Sequence, residues 1–190
     1  LIGAIRHSGF IPWDDDIDVI MFREDYEKFL QITHDNPLDK YEILSTNYTE
    51  DYFLLFAKMT LKNTMLEEWW VDQVSFDLGI FLGIYVLDNL SNNKIKSWFQ
   101  LKIGRLFKHL MAVSTVKFVG YPLITQTIAN FFHYLIKFLH IPLSFFTKTA
   151  IKIITLCQNE DCDMLFDITV LKGVQSYHKE DFSPAKKVNF

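Results

Sequence analysis

The chain has 190 residues and a formal net charge of −4, and 49% of its residues are hydrophobic and 16% aromatic. This composition excludes an intrinsically disordered chain, and the length suits one folded domain. The two cysteines, Cys157 and Cys162, are too few for a disulfide framework and do not have zinc-ribbon spacing, so we expect ordinary thiols in a reducing compartment.

The chain ends have no terminal signals. The first residue is Leu rather than Met, and the last residues, KKVNF, contain no turn or helix-end signal. We therefore expect a fragment cut at both ends, for which the lack of a signal peptide carries no information.

The predicted elements begin with the end of a helix at residues 1–7 and a turn at Ser8-Gly9. Alternating and then apolar residues predict a strand over residues 16–21. An amphipathic helix with acidic residues in its first turn follows, and Asn36-Pro37 ends it. Three further segments have strand patterns: 41–45, 53–59 and 77–89.

Residues 95–156 form a basic and apolar helical insert, which Pro122 and Pro142 divide into two or three helices. No acidic residue occurs between Asp88 and Glu160, where nine Lys and Arg residues give +9 against −13 for the rest. Three interpretations of this insert are possible: a membrane-spanning helix, an interfacial helix, or a subdomain packed on the core. We expect an α/β (α+β) fold, with one domain over residues 1–190 that contains this insert.

The acidic cluster at residues 14–18 is the main candidate site. Side chains alternate along a strand, so Asp16 and Asp18 project from one face about 7 Å apart, while Asp15 points to the other. Asp14 projects from the same face as Asp16 and Asp18 if the strand begins before residue 16. Two carboxylates on one face can bind Mg²⁺ together with substrate phosphates. This arrangement is typical of metal-assisted phosphoryl transfer in nucleotidyltransferase-type folds.

The acidic cluster is also compatible with different roles. A solvated acidic turn is one, although the flanking apolar strand argues against free exposure. An EF-hand loop would need glycine where Val19 stands, and a glycosidase carboxylate pair usually spans different elements. Arg6 and His7 lie just upstream, where they either contact phosphate oxygens or end an exposed helix.

The stretch LIGAIRHSGFIPWDDDIDVIMFREDYEKF at residues 1–29 closely resembles the signature of the LicD family, which includes bacterial phosphorylcholine transferases and is related to fukutin and fukutin-related protein. Weaker similarities follow, so that the resemblance touches both ends and covers most of the chain, with the basic helical insert only loosely comparable. They are FAKMTLKNT, which places Lys58 and Thr64 on matching positions, GIFLGIYVLDNL and YHKEDFSPAKKVNF.

The resemblance implies a nucleotidyltransferase-like core with a mixed sheet. It also implies transfer of phosphocholine or an alditol phosphate from a CDP-activated donor to a glycan hydroxyl, with release of CMP. The acceptor would be a lipopolysaccharide, teichoic acid or capsule precursor, free or lipid-linked. The enzyme would be cytoplasmic, at the inner face of the membrane.

By position in the family signature, Asp16 and Asp18 would bind Mg²⁺ or Mn²⁺, supported by Asp14 and Asp15. The candidates for binding the donor phosphates are Arg6, His7 and Lys58.

Gly83 stands where the family has an aspartate, the expected third metal carboxylate. Asp88 or Asp77 could replace it, and the candidate catalytic residues are therefore Asp14, Asp16, Asp18 and Asp88. An alternative function follows from the same glycine: a non-catalytic protein that binds nucleotide and metal without turnover.

The distribution of basic residues bears on the partners. No basic patch interleaved with aromatic residues lies beside the aspartates, so we expect no nucleic-acid partner. The +9 segment predicts peripheral contact of residues 95–152 with a membrane surface, against the alternative of ordinary solvated helix faces.

Overall fold

The computed structural model describes residues 6–9, 11–13, 17–66, 76, 78–115, 118, 121–169 and 173–182. The described strands are β1 Asp18–Phe22, β2 Tyr41–Leu44, β3 Ala57–Leu61, β4 Phe81–Leu90, β5 Met164–Asp167 and β6 Gln175–His178. The described α-helices are α1 Arg23–Asp35, α2 Lys94–Thr115, α3 Leu123–Phe138 and α4 Leu143–Ile154, and a 3₁₀ turn covers Lys179–Phe182.

The six strands form one mixed sheet in the order β2-β3-β4-β5-β6, with β1 paired to β4. β1 and β4 run parallel, and the other pairs are antiparallel. The ten-residue β4 is the hub, because it pairs with β1, β3 and β5 along its length. The predicted α/β class and mixed sheet are confirmed.

α1 covers one face of the sheet. Its buried Tyr26 and Leu30 pack against Ala57 of β3 and against Ile84 and Val86 of β4. Glu24 and Asp25 lie in its first turn, where the helix dipole favours negative charge. Asn36 ends the helix with its backbone N–H on the carbonyl of Ile32, as the Asn-Pro signal predicted.

The helical segment at residues 94–154 builds a second core. Met111 of α2 packs with Phe146, Ala150 and Ile154 of α4 and with Phe166 of β5. α3 and α4 begin directly after Pro122 and Pro142, whose extended backbone stops the preceding chain from continuing as helix. Ile136 of α3 belongs to the same cluster, so of the interpretations left open for this segment, packing on the core describes α2, α4 and one side of α3.

Close helix packing depends on Gly104 in α2. A Cβ atom there would lie 2.8 Å from Cδ1 of Ile168 and 3.1 Å from Cγ2 of Ile154. The missing side chain lets α2 approach both α4 and the chain that leaves β5.

Two strand predictions were wrong in position. β3 begins at Ala57 rather than at residue 53, because Phe53 and Leu55 are buried from an irregular segment. A run of apolar residues alone does not show whether a segment is a strand or an irregular loop buried in the core. The strand predicted at 77–89 covers Phe81–Leu90. β1 starts at Asp18, and residues 14–16 lie outside the described residues.

In the part of the chain that the structure describes, none of the helices combines the length and the hydropathy needed to cross a bilayer.

Candidate functional site

Three strands bring Asp18, Gly83 and Lys58 into one row. Asp18 of β1 is the register partner of Gly83 of β4, and Gly83 is also the partner of Lys58 of β3. Register partners share a face of the sheet, so the carboxylate and the ammonium group belong to the same face. Their Cα atoms are two strand spacings apart, about 10 Å. The row joins two residues that the sequence analysis assigned to metal and phosphate.

The Asp18 carboxylate lies in the space that a side chain at position 83 would fill. A Cβ atom on Gly83 would sit well inside van der Waals contact with Oδ1 of Asp18, and 3.0 Å from Cε2 of Tyr85. The backbone N–H of Gly83 donates to the carbonyl of Ile17 at 3.2 Å, which holds β1 beside β4 at this point. An aspartate at position 83 would therefore compete with Asp18 for the same space.

Lys58 is 3% exposed, and its Nζ lies 3.7 Å from the ring centroid of Phe81. A buried ammonium group needs compensation, and the negative face of an aromatic ring supplies part of it. On the same face, Tyr85 stacks on Phe56 with ring centroids 4.4 Å apart. The row of Asp18, Gly83 and Lys58 thus lies beside the stacked rings of Tyr85 and Phe56, which we call the aromatic wall.

These aromatic residues were missed by the sequence analysis. Tyr85 is two residues beyond Gly83 and therefore projects from the same face of β4. The period-2 spacing of Phe81 and Tyr85 from Gly83 was the available signal, but the register of β3 was needed to place Phe56 beside Tyr85 and Lys58 beside Phe81. Stacked aromatic faces can hold a nucleobase or a quaternary ammonium group.

Asp88 lies on the other face of the sheet. It is five residues beyond Gly83 on β4, so alternation turns it away from Asp18 and the strand rise places it about 17 Å along. Its two oxygens accept hydrogen bonds from Nε and Nη2 of Arg23 at 2.7 and 2.8 Å, and both side chains are buried. The prediction that Asp88 replaces the carboxylate missing at position 83 does not fit this geometry.

The partner of Asp88 is the first residue of α1. Burial alone would lower the pKa of Arg23, but the charge and hydrogen bonds of Asp88 outweigh it, and the pKa is raised. Arg23 also lies 5.4 Å from the ring centroid of Tyr26, whose own pKa burial raises. The pair is a structural link between α1 and β4.

The remaining predicted residues divide into two groups. Arg6 and His7 are exposed, and the ring of His7 meets that of Trp13 edge-on at 5.6 Å between centroids. The others lie outside the described residues: Asp14, Asp15, Asp16 and Asp77.

The donor set for a divalent cation is incomplete within the described residues. No group of three or more His, Cys, Asp and Glu side chains able to hold a metal ion occurs in that part of the chain. Asp18 is exposed and has the hard oxygen ligands that Mg²⁺ prefers. It fits as one of the one or two carboxylates that Mg²⁺ takes beside substrate phosphates, and its predicted companion is Asp16.

A cleft of about 300 Å³ opens elsewhere along β1. It is lined by Ile20, Met21, Phe22, Asp25, Phe29, Leu87 and Phe182. None of the predicted site residues lines it, and its walls are mainly apolar. We therefore place the candidate site at the Asp18–Gly83–Lys58 row rather than in this cleft.

Comparison with known proteins agrees with the resemblance in the N-terminal signature. The model of the family described as LicD/FKTN/FKRP, nucleotidyltransferase domain, matches residues 1–79. The lipopolysaccharide cholinephosphotransferase LicD of Haemophilus influenzae is 46% identical over 97 residues, which is 48% of this chain and 34% of that protein. The chain thus spans about a third of this relative's length. No solved structure matches the chain.

The family match covers the acidic cluster, β1, α1, β2 and β3, so that both Asp18 and Lys58 fall within it. Gly83 and the helices α2 to α4 lie beyond the matched residues. The resemblance to the LicD family is thus confirmed by the family model over residues 1–79 and by this relative over 97 residues.

Proposed function

We propose that the chain carries the donor site of a metal-dependent transferase that moves phosphocholine from CDP-choline to a hydroxyl of a cell-surface glycan. The observation that carries the proposal is the row of Asp18, Gly83 and Lys58, in which an exposed carboxylate and a lysine share one sheet face. The LicD family match over residues 1–79 and the similarity to the Haemophilus cholinephosphotransferase support the substrate class.

In this proposal the glycan hydroxyl attacks the phosphorus atom that bears choline. The bond from that phosphorus to the oxygen bridging to CMP breaks, CMP leaves with the bonding electrons, and the hydroxyl proton passes to solvent or a base. Mg²⁺ or Mn²⁺, when bound by Asp18 and Asp16, neutralises phosphate charge. Lys58 adds a positive charge on the same face of the sheet, and Tyr85 with Phe56 offers aromatic surface for choline or cytosine.

The finer assignments belong to the same proposal. An alditol phosphate is the alternative cargo, and a lipopolysaccharide, teichoic acid or capsule precursor is the acceptor. Arg6 and His7 are exposed and available to the donor phosphates. We place the protein in the cytoplasm at the inner face of the membrane. Asp88 is left out of the catalytic set because Arg23 occupies it.

The test is transfer from labelled CDP-choline to purified lipopolysaccharide by the 190-residue chain, with CMP measured in parallel. We expect equal amounts of CMP and lipid-bound phosphocholine, loss of both with EDTA, and loss of both in Asp18→Asn. The matched control is Asp39→Asn, an exposed carboxylate in the connection before β2. Transfer by Asp18→Asn at the parental rate would contradict the proposal.

A second function, binding without turnover, is favoured by Gly83 alone. It predicts that the chain binds CDP-choline with Mg²⁺ and releases no CMP. Gly83→Asp then separates the two functions: gain of metal-dependent CMP release identifies a degenerate enzyme, while release by the parent rules this function out. The new side chain must displace the Asp18 carboxylate and the Tyr85 ring, so the variant's CDP-choline binding is measured alongside.

A further inference from the structure

Helix α3 is apolar around most of its circumference but is covered on only one side. Ala129 and Ile136 are buried, and Gln126 and His133 complete that side, where Nδ1 of His133 bonds to the carbonyl of Val113 in α2 at 2.9 Å. These four positions recur at spacings of three and four residues. The covered side of α3 is therefore defined by its packing on α2.

The opposite side of α3 is also apolar. Ile124, Phe131 and Phe138 recur every seven residues and are 76%, 64% and 78% exposed. Exposed apolar side chains flank them on the same helix: Leu123, Ile128, Phe132, Tyr134 and Leu135. We call the outer surface formed by these eight apolar side chains the α3 apolar face. A water-exposed helix normally carries polar residues there.

The surrounding charge identifies the partner class. No acidic residue occurs in α2, α3 or α4, whereas Lys102, Lys137, Lys148 and Lys152 are exposed on them. Any orientation that presents the α3 apolar face to a surface therefore presents only neutral or cationic groups of these helices. An apolar helix face in a cationic setting matches the interfacial zone of an anionic bilayer.

The geometry points to peripheral binding of the α3 apolar face to an anionic lipid bilayer, and we propose this as a function of residues 94–154 that does not depend on the transfer reaction. Sixteen helical residues span about 24 Å, which suits a helix lying in the interface plane. Phe131, Phe138 and Tyr134 are residue types that partition well to the headgroup level.

The structure also selects the lysines that a charge test can use. Nζ of Lys108 donates to the carbonyls of Ile168 and Thr169 at 2.7 and 3.0 Å, and Lys96 pairs with Glu160 at 2.6 Å. Both are engaged in folding contacts. Lys137 and Lys148 are exposed and are the appropriate positions for charge reversal.

The experiment is co-sedimentation of the 190-residue chain with vesicles of phosphatidylglycerol and phosphatidylethanolamine, and with vesicles of phosphatidylcholine alone. We expect binding to the anionic vesicles that weakens as salt rises. The variant Ile124→Gln/Phe131→Gln/Phe138→Gln should lower the partition coefficient more than about tenfold, because each side chain loses a favourable burial. Lys137→Glu/Lys148→Glu should lower binding to anionic vesicles alone.

The matched control is Ile32→Gln/Met65→Gln, which removes apolar side chains that are 61% and 81% exposed outside the helical segment. It should bind like the parent. A label that reports polarity, attached through Phe131→Cys, gives a readout that does not require the triple variant to fold, since Cys157 and Cys162 are buried. Its emission should shift to the blue on adding anionic vesicles, and a label at Ile32→Cys should not shift.

Two results would overturn the proposal. One is equal vesicle binding by the parent and the folded triple variant, or an unshifted label at position 131. The other is a parent that does not bind vesicles and sediments as a dimer, while the triple variant sediments as a monomer. In that case a second copy of the chain covers the α3 apolar face.

Discussion

Arg23 and Asp88 form a buried bidentate ion pair between the first residue of α1 and β4, and its energetics can be tested directly. Arg23→Met leaves a buried carboxylate without its partner, so we expect the free energy of unfolding to fall by about 3–5 kcal/mol. Urea denaturation measures this. The double variant Arg23→Met/Asp88→Leu should recover part of the loss, because neither charge then stays buried alone.

The matched control for the pair is Lys28→Met. Lys28 and Glu24 form an ion pair on the same helix with side chains 63% and 76% exposed. Exposed pairs contribute little, so this variant should unfold like the parent. An Arg23→Met variant as stable as Lys28→Met would show that the buried pair does not hold α1 to the sheet.

Gly83 determines where the Asp18 carboxylate can lie. Gly83→Ala places a Cβ atom against Oδ1 of Asp18 and against the ring of Tyr85. We expect Mg²⁺-dependent CDP-choline binding to weaken by about 5- to 150-fold, since overpacking of this kind costs about 1–3 kcal/mol. Calorimetry checks it, with Gly173→Ala as control because nothing lies within 4 Å of a Cβ atom there. Parental affinity in Gly83→Ala would remove the proposed role of this glycine.

Lys108 makes stability depend on pH. Burial lowers its pKa to about 8 from the ordinary 10.5, while Asp167 raises it and Arg105 lowers it. Between these two pH values the unfolded chain holds a proton that the folded chain has released, so the contribution of Lys108 to the free energy of unfolding rises with pH. Below about pH 8 the folded state carries the full penalty of the buried charge.

The comparison that isolates this effect is parent against Lys108→Met, in urea denaturation at about pH 7.5 and about pH 9.5, on either side of the lowered pKa. The difference in unfolding free energy, parent minus variant, should be larger at the higher pH. A difference that stays constant or shrinks with pH would contradict the assigned pKa direction.

At the scale of elements, Gln100 of α2 ties the helical segment to the sheet. Its side-chain oxygen accepts from the backbone N–H of Ser91, and Nε2 donates to the carbonyls of Asn89 and Ile154, all at 3.0 Å. Gln100 is fully buried. One side chain thus satisfies backbone groups at the end of β4, directly after β4 and at the end of α4.

Gln100→Leu should therefore lower the free energy of unfolding by about 2 kcal/mol or more, because it leaves buried backbone groups unsatisfied. Thermal and urea denaturation measure it. Gln126→Leu on α3 is the control, since Gln126 bonds to the exposed Tyr121 carbonyl, and it should change stability little. Equal effects of the two substitutions would contradict the role of Gln100 as the tie.

Elements with a local signal were predictable from the sequence. The prolines at 122 and 142 mark the starts of α3 and α4, and Asn36-Pro37 marks the end of α1, because each acts on its own backbone. β3 was misplaced because the burial of Phe53 and Leu55 comes from tertiary packing rather than from strand structure.

At the scale of the whole molecule, the site depends on long-range register, which local patterns do not encode. Asp18, Lys58 and Gly83 were each singled out, but only the pairing of β1, β4 and β3 places them in one row. The same register turns Asp88 to the opposite face, where Arg23, 65 residues away in sequence, pairs with it. Their spacing along β4 could have shown that Asp88 and Gly83 lie on opposite faces of the sheet, since their positions differ by an odd number of residues.

The two faces of the sheet and the helical segment therefore have different roles. One face of the sheet carries α1 and the Arg23–Asp88 pair, and the other carries the candidate donor site with its aromatic wall. α2, α4 and the covered side of α3 build a second core, and the α3 apolar face points outward. A donor site and a bilayer contact on one chain would bring the transfer reaction to a lipid-linked acceptor.

Calorimetric titration of CDP-choline into the 190-residue chain with Mg²⁺ tests the central claim, that the Asp18–Gly83–Lys58 row is the donor site. We predict binding by the parent and by Asp39→Asn, loss of binding in Asp18→Asn, and loss in the parent when EDTA removes the metal. Equal affinity of Asp18→Asn and Asp39→Asn, or no binding by the parent, would contradict the claim.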